Sequence, residues 1–443
     1  MISAHGIGGA KDLPIPPELA IAGAVAALTV SFTVLAVAWR KPRYDAATSG
    51  RPAPAWLARI VNSTWWQVLW RVVGFLIFLY TVMVAVFGKD LLTNPLFGIF
   101  YIWWWVGLVW ASLLFGPVWK AISPVRTINW LLAKVSGGST SQGVFTYPER
   151  LGHWPAAVGL YAFVWIELVY PYGTEIGPVR LWCAAYVAVM LVGGALFGDT
   201  FYERADPFEV YSSLVAKMSI WGRRGDLLVV RSPLANLDTV VPRAGLLGVT
   251  AVLFGSTAYD SFRESTVWIK LLQNTAWINE HSWAPTLVKN AGLLLFCVVV
   301  GVVFAAGTMA TGVARDFDRR RLPILFAHSI VPIIVGYIVA HYLSYFFQAG
   351  QGTLIQFSDP FSNGSDWFGT ADLQVNYFFS YHPTFLATMK VLAVVTGHVL
   401  GVISAHDRAI KLLPREHQLT GQLSLLFAMV AFTIGGLYLL FAG

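Results

Sequence analysis

Apolar runs of roughly 20 residues recur along the whole chain, the length a helix needs to cross a hydrocarbon core about 30 Å thick. Only 12% of the residues are charged, and the mean hydropathy is +0.63. A soluble domain carries about 25% charged residues. The alternating segments of about 10 residues that mark a membrane β-barrel are absent. The sequence therefore predicts an all-α polytopic membrane bundle, a single domain of about ten spans in contact with a lipid bilayer. The expected spans are 19–39, 68–88, 96–119, 154–173, 179–198, 244–262, 287–312, 322–348, 383–408 and 419–442.

Orientation follows from charge. The first span has no basic residue just before it, and Arg40, Lys41 and Arg43 just after it. It reads as an uncleaved anchor with its N-terminus outside. Ten spans then put both termini outside. Segments 40–71, 120–153, 199–243, 313–321 and 408–418, all assigned inside, hold 23 of the 30 Lys and Arg residues, the imbalance expected for a bacterial plasma-membrane protein. That placement assigns the pI of 9.3 to topology and away from nucleic acid. The two cysteines, Cys183 and Cys297, fall within spans, which removes a disulfide framework and a cysteine-based zinc site.

Two connecting segments are long. Within 199–243, DPFEVYSSLVAKM has a helical apolar period after Asp206 and Pro207, a cap followed by proline at the first helical position. It reads as an amphipathic helix on the inner surface. Segment 349–382 carries Asp359, Asp366 and Asp372 with no Lys or Arg, and reads as a long outer loop.

Ionisable groups inside spans mark the candidate site, because lipid penalises them unless a partner meets them. The eighth span carries His328 and His341; the ninth carries Lys390, His398 and His406. Counting helical rise, His328 lies about 9 Å and His398 about 15 Å from the inner end, while His341 and Lys390 each lie about 10 Å from the outer end. Neighbouring helices would thus form an inner His/His layer and an outer His/Lys layer. His328 and His341 are about 140° apart around their helix, so no single face carries both. Tyr337, Ser344, Tyr345 and Gln348 form a polar stripe with His341. Pro332 frees the carbonyl of His328. Glu167 in the fourth span is a further proton-site candidate, whereas Asp260, with Arg263 and Glu264, reads as the end of the sixth span.

The strings GSTAYDSF (255–262), FAHSIVPIIVGYIVAHYLS (326–344) and GHVLGVISAHDRA (397–409) resemble actinobacterial polytopic membrane proteins, some of which bear the label fenitrothion hydrolase. The resemblance implies a shared helical membrane fold and points to His328, His341, His398 and His406. No H-E-x-x-H pair, phosphate loop or G-x-S-x-G elbow accompanies it.

The residues support a transporter or a proton or metal-ion pathway. In it His328, His341 and His398 are the binding groups, and Lys390, Tyr337, Tyr345 and Glu167 line a polar route. The alternatives are a redox protein holding haem or a transition metal through its histidines, a membrane enzyme acting on a lipophilic substrate, and a helical scaffold. A homo-oligomer or a membrane complex is compatible with each.

Overall fold

The computed structural model describes residues 9–314, 317–418 and 420–441. The ends of the last expected span, Leu419 and Ala442, and two residues of the basic segment 313–321, Arg315 and Asp316, lie outside that set. The principal helices are α1 (Pro17–Ala38), α2 (Thr64–Phe87), α3 (Pro95–Phe115), α4 (Pro124–Val135), α5 (Trp154–Leu168), α6 (Ile176–Phe197), α7 (Pro207–Val215), α8 (Leu246–Arg263), α9 (Ala284–Met309), α10 (Arg319–Gln356), α11 (Pro383–Leu412) and α12 (Thr420–Phe441). Among the described residues eight of these, α1, α2, α3, α6, α9, α10, α11 and α12, are long and apolar enough to cross a membrane. The chain is a polytopic helical membrane protein. The other two expected spans are present as the 15-residue α5 and the 18-residue, more polar α8, about 22 and 27 Å long at the helical rise.

Burial ranks the helices. The most apolar stretch of α10 is 83% buried, against 22% for that of α2, so α10 is central and α2 faces lipid. Within α8, every residue from Val249 to Ser261 is buried. A helix of low hydropathy is tolerated there because protein, not lipid, surrounds it.

The basic segments gather at one end of the bundle. Arg43 N donates to Asp407, Lys411 to the Tyr44 carbonyl, and Arg408 to Asp238. A small antiparallel sheet of order β1–β3–β2 joins Arg51–Pro52, Trp221–Arg224 and Leu227–Val230 at this end. Ion pairs Lys120–Glu203, Arg126–Glu209 and Arg204–Glu149 tie in the remaining connectors. At the opposite end Lys89 reaches the Ser362 carbonyl, and Asp90 accepts from Ile176 N.

Two expectations are corrected. First, α7 does not lie on a surface: all of Pro207–Val215 is buried except Ser213. Its cap is as expected, Asp206 accepting from Phe208 N with Pro207 at the first position. The polar positions Asp206, Glu209 and Ser212 share a face at three-residue spacing, and each meets a partner. Asp206 accepts from Trp119 Nε1 at 3.0 Å and Tyr186 Oη at 3.1 Å; Arg126 grips Glu209 through two bonds of 2.6 and 2.7 Å; Ser212 pairs with Ser112 at 2.8 Å. Amphipathic spacing reads the same whether water or protein receives the polar face. Second, α10 continues to Gln356, so the connector is shorter than 349–382. Thr353 turns its hydroxyl back onto the Ala349 carbonyl and packs on Gly98 of α3. Trp103, Trp104 and Trp105 lie in a π-helical stretch, Gly98–Gly107, with Trp105 fully buried against Tyr211 and Phe163.

Proline and glycine shape the central helix pair. Ahead of Pro332, α10 tightens into a 3₁₀ turn over Ala327–Ile330, as the lost backbone bond requires. Against α11 the two backbones nearly touch. A Cβ at Gly336 would lie 2.5 Å from the Ala393 carbonyl oxygen, one at Gly397 2.5 Å from that of Pro332, and one at Gly401 2.8 Å from that of Ser329. Gly397 and Gly401 form a small-xxx-small seam, the arrangement that lets membrane helices approach closely.

Gly397→Leu is expected to destabilise the protein by about 3 kcal/mol through overpacking, read as a lowered thermal midpoint in detergent. Gly435→Ala, where a Cβ meets nothing within 4 Å, leaves the midpoint unchanged. At the start of α5, burial holds the His153 imidazole down to about 4, opposed by its bond to the Arg204 carbonyl. The unfolded chain then takes up the proton first, so stability is full above about pH 6.5 and falls as pH drops towards 4. His153→Gln keeps a donor for that carbonyl and should flatten this part of the pH profile.

Candidate functional site

Asp260 and Ser261 are consecutive on α8, and His341 faces them from α10. His341 Nε2 lies 2.9 Å from Asp260 Oδ2, and its Nδ1 lies 3.0 Å from Ser261 Oγ. Tyr342 donates to the same Asp260 oxygen at 2.8 Å, and Arg263 Nε lies 2.8 Å from Asp260 Oδ1. Ser261 Oγ also lies 3.0 Å from Tyr337 Oη and 3.3 Å from the Thr257 carbonyl. Asp260 is 1% and His341 4% exposed. This is a charged network enclosed by protein at the crossing of two deeply buried helices.

Local geometry explains the convergence. Tyr337 and His341 are four apart on α10, so both look towards α8, their rings nearly parallel at 6.4 Å. Tyr342, the next residue, wraps around the same carboxylate, its ring edge-on to the imidazole at 4.5 Å. Arg263 sits one turn after Asp260, fixing that oxygen from within α8.

The network accommodates either protonation state of His341. A carboxylate accepts only, so Nε2–H donates to Asp260. In the neutral ring Nδ1 then accepts from the Ser261 hydroxyl. In the cation Nδ1–H donates to Ser261 Oγ, whose own proton turns to Tyr337 or to the Thr257 carbonyl. Gain of a proton thus requires rotation of hydroxyls and no movement of a helix.

Glu167 joins from α5. It interacts electrostatically with Asp260 and Arg263, and with Tyr211, Tyr342 and Tyr345. Its Oε2 and the Tyr211 hydroxyl are buried polar atoms without a hydrogen-bond partner among the described residues. Two orphans in one cluster invite bound water, which satisfies such groups.

The other predicted residues are placed differently. His328 Nδ1 lies 3.1 Å from the Leu325 carbonyl of its own helix, and the ring also faces the Ser404 carbonyl. His398 Nδ1 lies 2.9 Å from the Val394 carbonyl one turn away, and its buried Nε2 has no hydrogen-bond partner among the described residues. The contacts of Gly336 with Ala393, and of Gly401 with Ser329, set the register of the seam. His328 consequently lies across from residues 401–404, so the two histidines are offset by about a helical turn. Lys390 is 2% exposed, and its charge is felt by Asp12 and Glu264. His406 is anchored by Gln422 and by the Trp39 carbonyl. Gln348 donates to Ser380, and Tyr345 is buried beside the Glu167 cluster. Among the described residues no three His, Cys, Asp or Glu side chains come together to hold a metal ion.

Asp260 lies in the last turn of α8, which ends at Arg263 with Glu264 as its cap, so it marks a span end as expected. What the sequence reading missed is that it is also the acid on which His341 and Tyr342 converge. Its signal is an aspartate following sixteen residues free of charge (244–259), with an arginine one turn later to pair with it on the same face. Comparison with protein-family models, with curated proteins and with solved structures gives no match to the chain.

Tyr342→Phe removes one donor from a buried charged carboxylate and should cost about 1.5–3 kcal/mol. Arg263→Met leaves the Asp260 charge short of its counter-ion and should cost about 3–5 kcal/mol. Thermal or denaturant unfolding in micelles checks both, and the order of the two is the sharper test.

Proposed function

We propose that the protein is a proton-conducting or proton-coupled transporter of a bacterial plasma membrane, its basic end inward, with the Asp260–His341 pair as the exchange site. The observation that carries this reading is the bonding of His341 on both ring nitrogens, to Asp260 and to Ser261, with hydroxyl rotors that satisfy either state. Histidine is the side chain whose charge changes near neutral pH. Ionisable groups within a bundle mark proton relays and substrate routes. In this reading Asp260, clamped by Arg263 and Tyr342, stays an anion and retains the proton on His341 while it is loaded. Glu167, with an oxygen free for water, is the neighbouring acceptor. Tyr337 and Tyr345 line the route, and Lys390, His328 and His398 lie outside the exchange pair.

A second reading has one specific support: Ser261, His341 and Asp260 form a hydroxyl–imidazole–carboxylate chain of the kind that activates a nucleophile. The Ser261 hydroxyl sits inside α8, however, where the backbone N–H groups are spent on the helix and leave no oxyanion donors. The proton reading needs no such donors.

In vesicles loaded with a pH-sensitive dye, wild-type protein is expected to carry protons under an imposed potential. His341→Ala and Asp260→Asn, at matched folded yield, should each lower the flux at least about a hundredfold, the lower range for a lost acid–base group. Equal flux in wild type and variants, or none in wild type, defeats the proposal. Labelling of Ser261 by a fluorophosphonate, lost in Ser261→Ala, would favour the hydrolase instead.

A further inference from the structure

At the basic end, two cations converge on one indole with no acid between them. Arg71 of α2 stands over the Trp130 ring of α4, Cζ 4.9 Å from the centroid, and Lys134, one turn beyond Trp130, places Nζ 4.5 Å from the same centroid. The two charges are thus within 9.4 Å of each other, the sum of those distances. Neighbouring cations on this rim are neutralised: Lys120 by Glu203, Arg126 by Glu209 and Asp199, Arg204 by Glu149. Arg71 and Lys134 have no acidic partner among the described residues, and Arg71 Nη1 is buried without a hydrogen-bond acceptor. Asp199, the acid whose field reaches Arg71, is already held by Arg126 at 2.6 Å and by Thr140 Oγ1 at 3.1 Å.

We propose that Arg71 and Lys134, gathered on Trp130, bind the phosphate of an anionic phospholipid. A guanidinium presents paired donors suited to phosphate oxygens, and the ammonium adds a second point charge. The surroundings select a lipid over a free anion. Trp65, Trp66 and Trp70 pack edge-to-face along the same part of α2, and indoles favour the headgroup level. Leu131, Leu132 and Val135 of α4 and Leu69 and Val72 of α2 are exposed, giving acyl chains apolar surface directly beside the charges. The orphaned Arg71 nitrogen gains its acceptor, and α4 is fastened to α2 through the headgroup.

The test uses full-length protein in detergent micelles, titrated separately with phosphatidylglycerol, phosphatidylcholine and inorganic phosphate while the thermal midpoint is followed. Phosphatidylglycerol is expected to raise the midpoint by at least about 3 °C, since a ligand of the folded state stabilises by mass action. Phosphatidylcholine and phosphate should each give less than half of that rise. Lys134→Gln, at an exposed position, should weaken the phosphatidylglycerol response at least threefold in midpoint concentration, and Arg71→Gln with Lys134→Gln should abolish the preference. Equal responses to the two lipids, a full response to phosphate alone, or an unchanged preference in the double variant overturns the proposal.

Discussion

A carboxylate removed from water must be met by donors or by opposite charge, and most of this architecture answers to that demand at Asp260. Solvation lost in the bundle is replaced from three directions: Arg263 on the same helix, and His341 and Tyr342 on α10. Each alone returns part of the desolvation cost; together they satisfy both oxygens. Such an arrangement can exist only where lipid is excluded, which agrees with the deep burial of α8 and α10. The outer helices, α1, α2 and α9, are largely exposed and can be nearly featureless in polarity because they face lipid.

The same rule operates a second time, nearer the basic end. Asp206 and Glu209 enter the bundle on α7 and are met by Trp119, Tyr186 and the fork of Arg126. Arg126 also holds Asp199, so one guanidinium ties α4, the start of the connector and α7 into a unit. Tyr211, on the turn between these anchors and Glu167, brings α7 against the Trp105 ring of α3. Two polar clusters therefore occupy different levels of one bundle, joined by an aromatic layer.

Much of the fold was legible because span length and the alternation of basic segments are imposed by the bilayer itself. Eight spans, the basic end, the cap at Asp206–Pro207 and the distortion before Pro332 all follow from local chemistry. The site was legible only by half. His341 and its stripe mate Tyr337 stood out as polar groups at depth, but their partner is 81 residues away in sequence, and spacing along one helix cannot name the helix it faces. Asp260 reads correctly as a residue of the last turn of its span, but an Asp–Arg pair there gives no sign that groups of another helix meet it. His328 and His398 drew attention for the same reason as His341, yet each turns a ring nitrogen onto a carbonyl of its own helix, an outlet that residue type alone does not reveal. For α7, periodicity was right and its surroundings were not, since a polar face is equally suited to water and to Arg126.

The glycine seam has a mechanical meaning. Where Gly336, Gly397 and Gly401 bring two main chains together, with only the Ile333 side chain laid against Gly401, there is little to re-rotamer and no lubricating layer on which one rod could slip past the other. α10 and α11 consequently behave as a single stiff spar. Any working stroke at the imidazole must then come from α8 shifting against that spar, or from the 3₁₀ turn at Ala327–Ile330 flexing below it, and not from the paired helices parting.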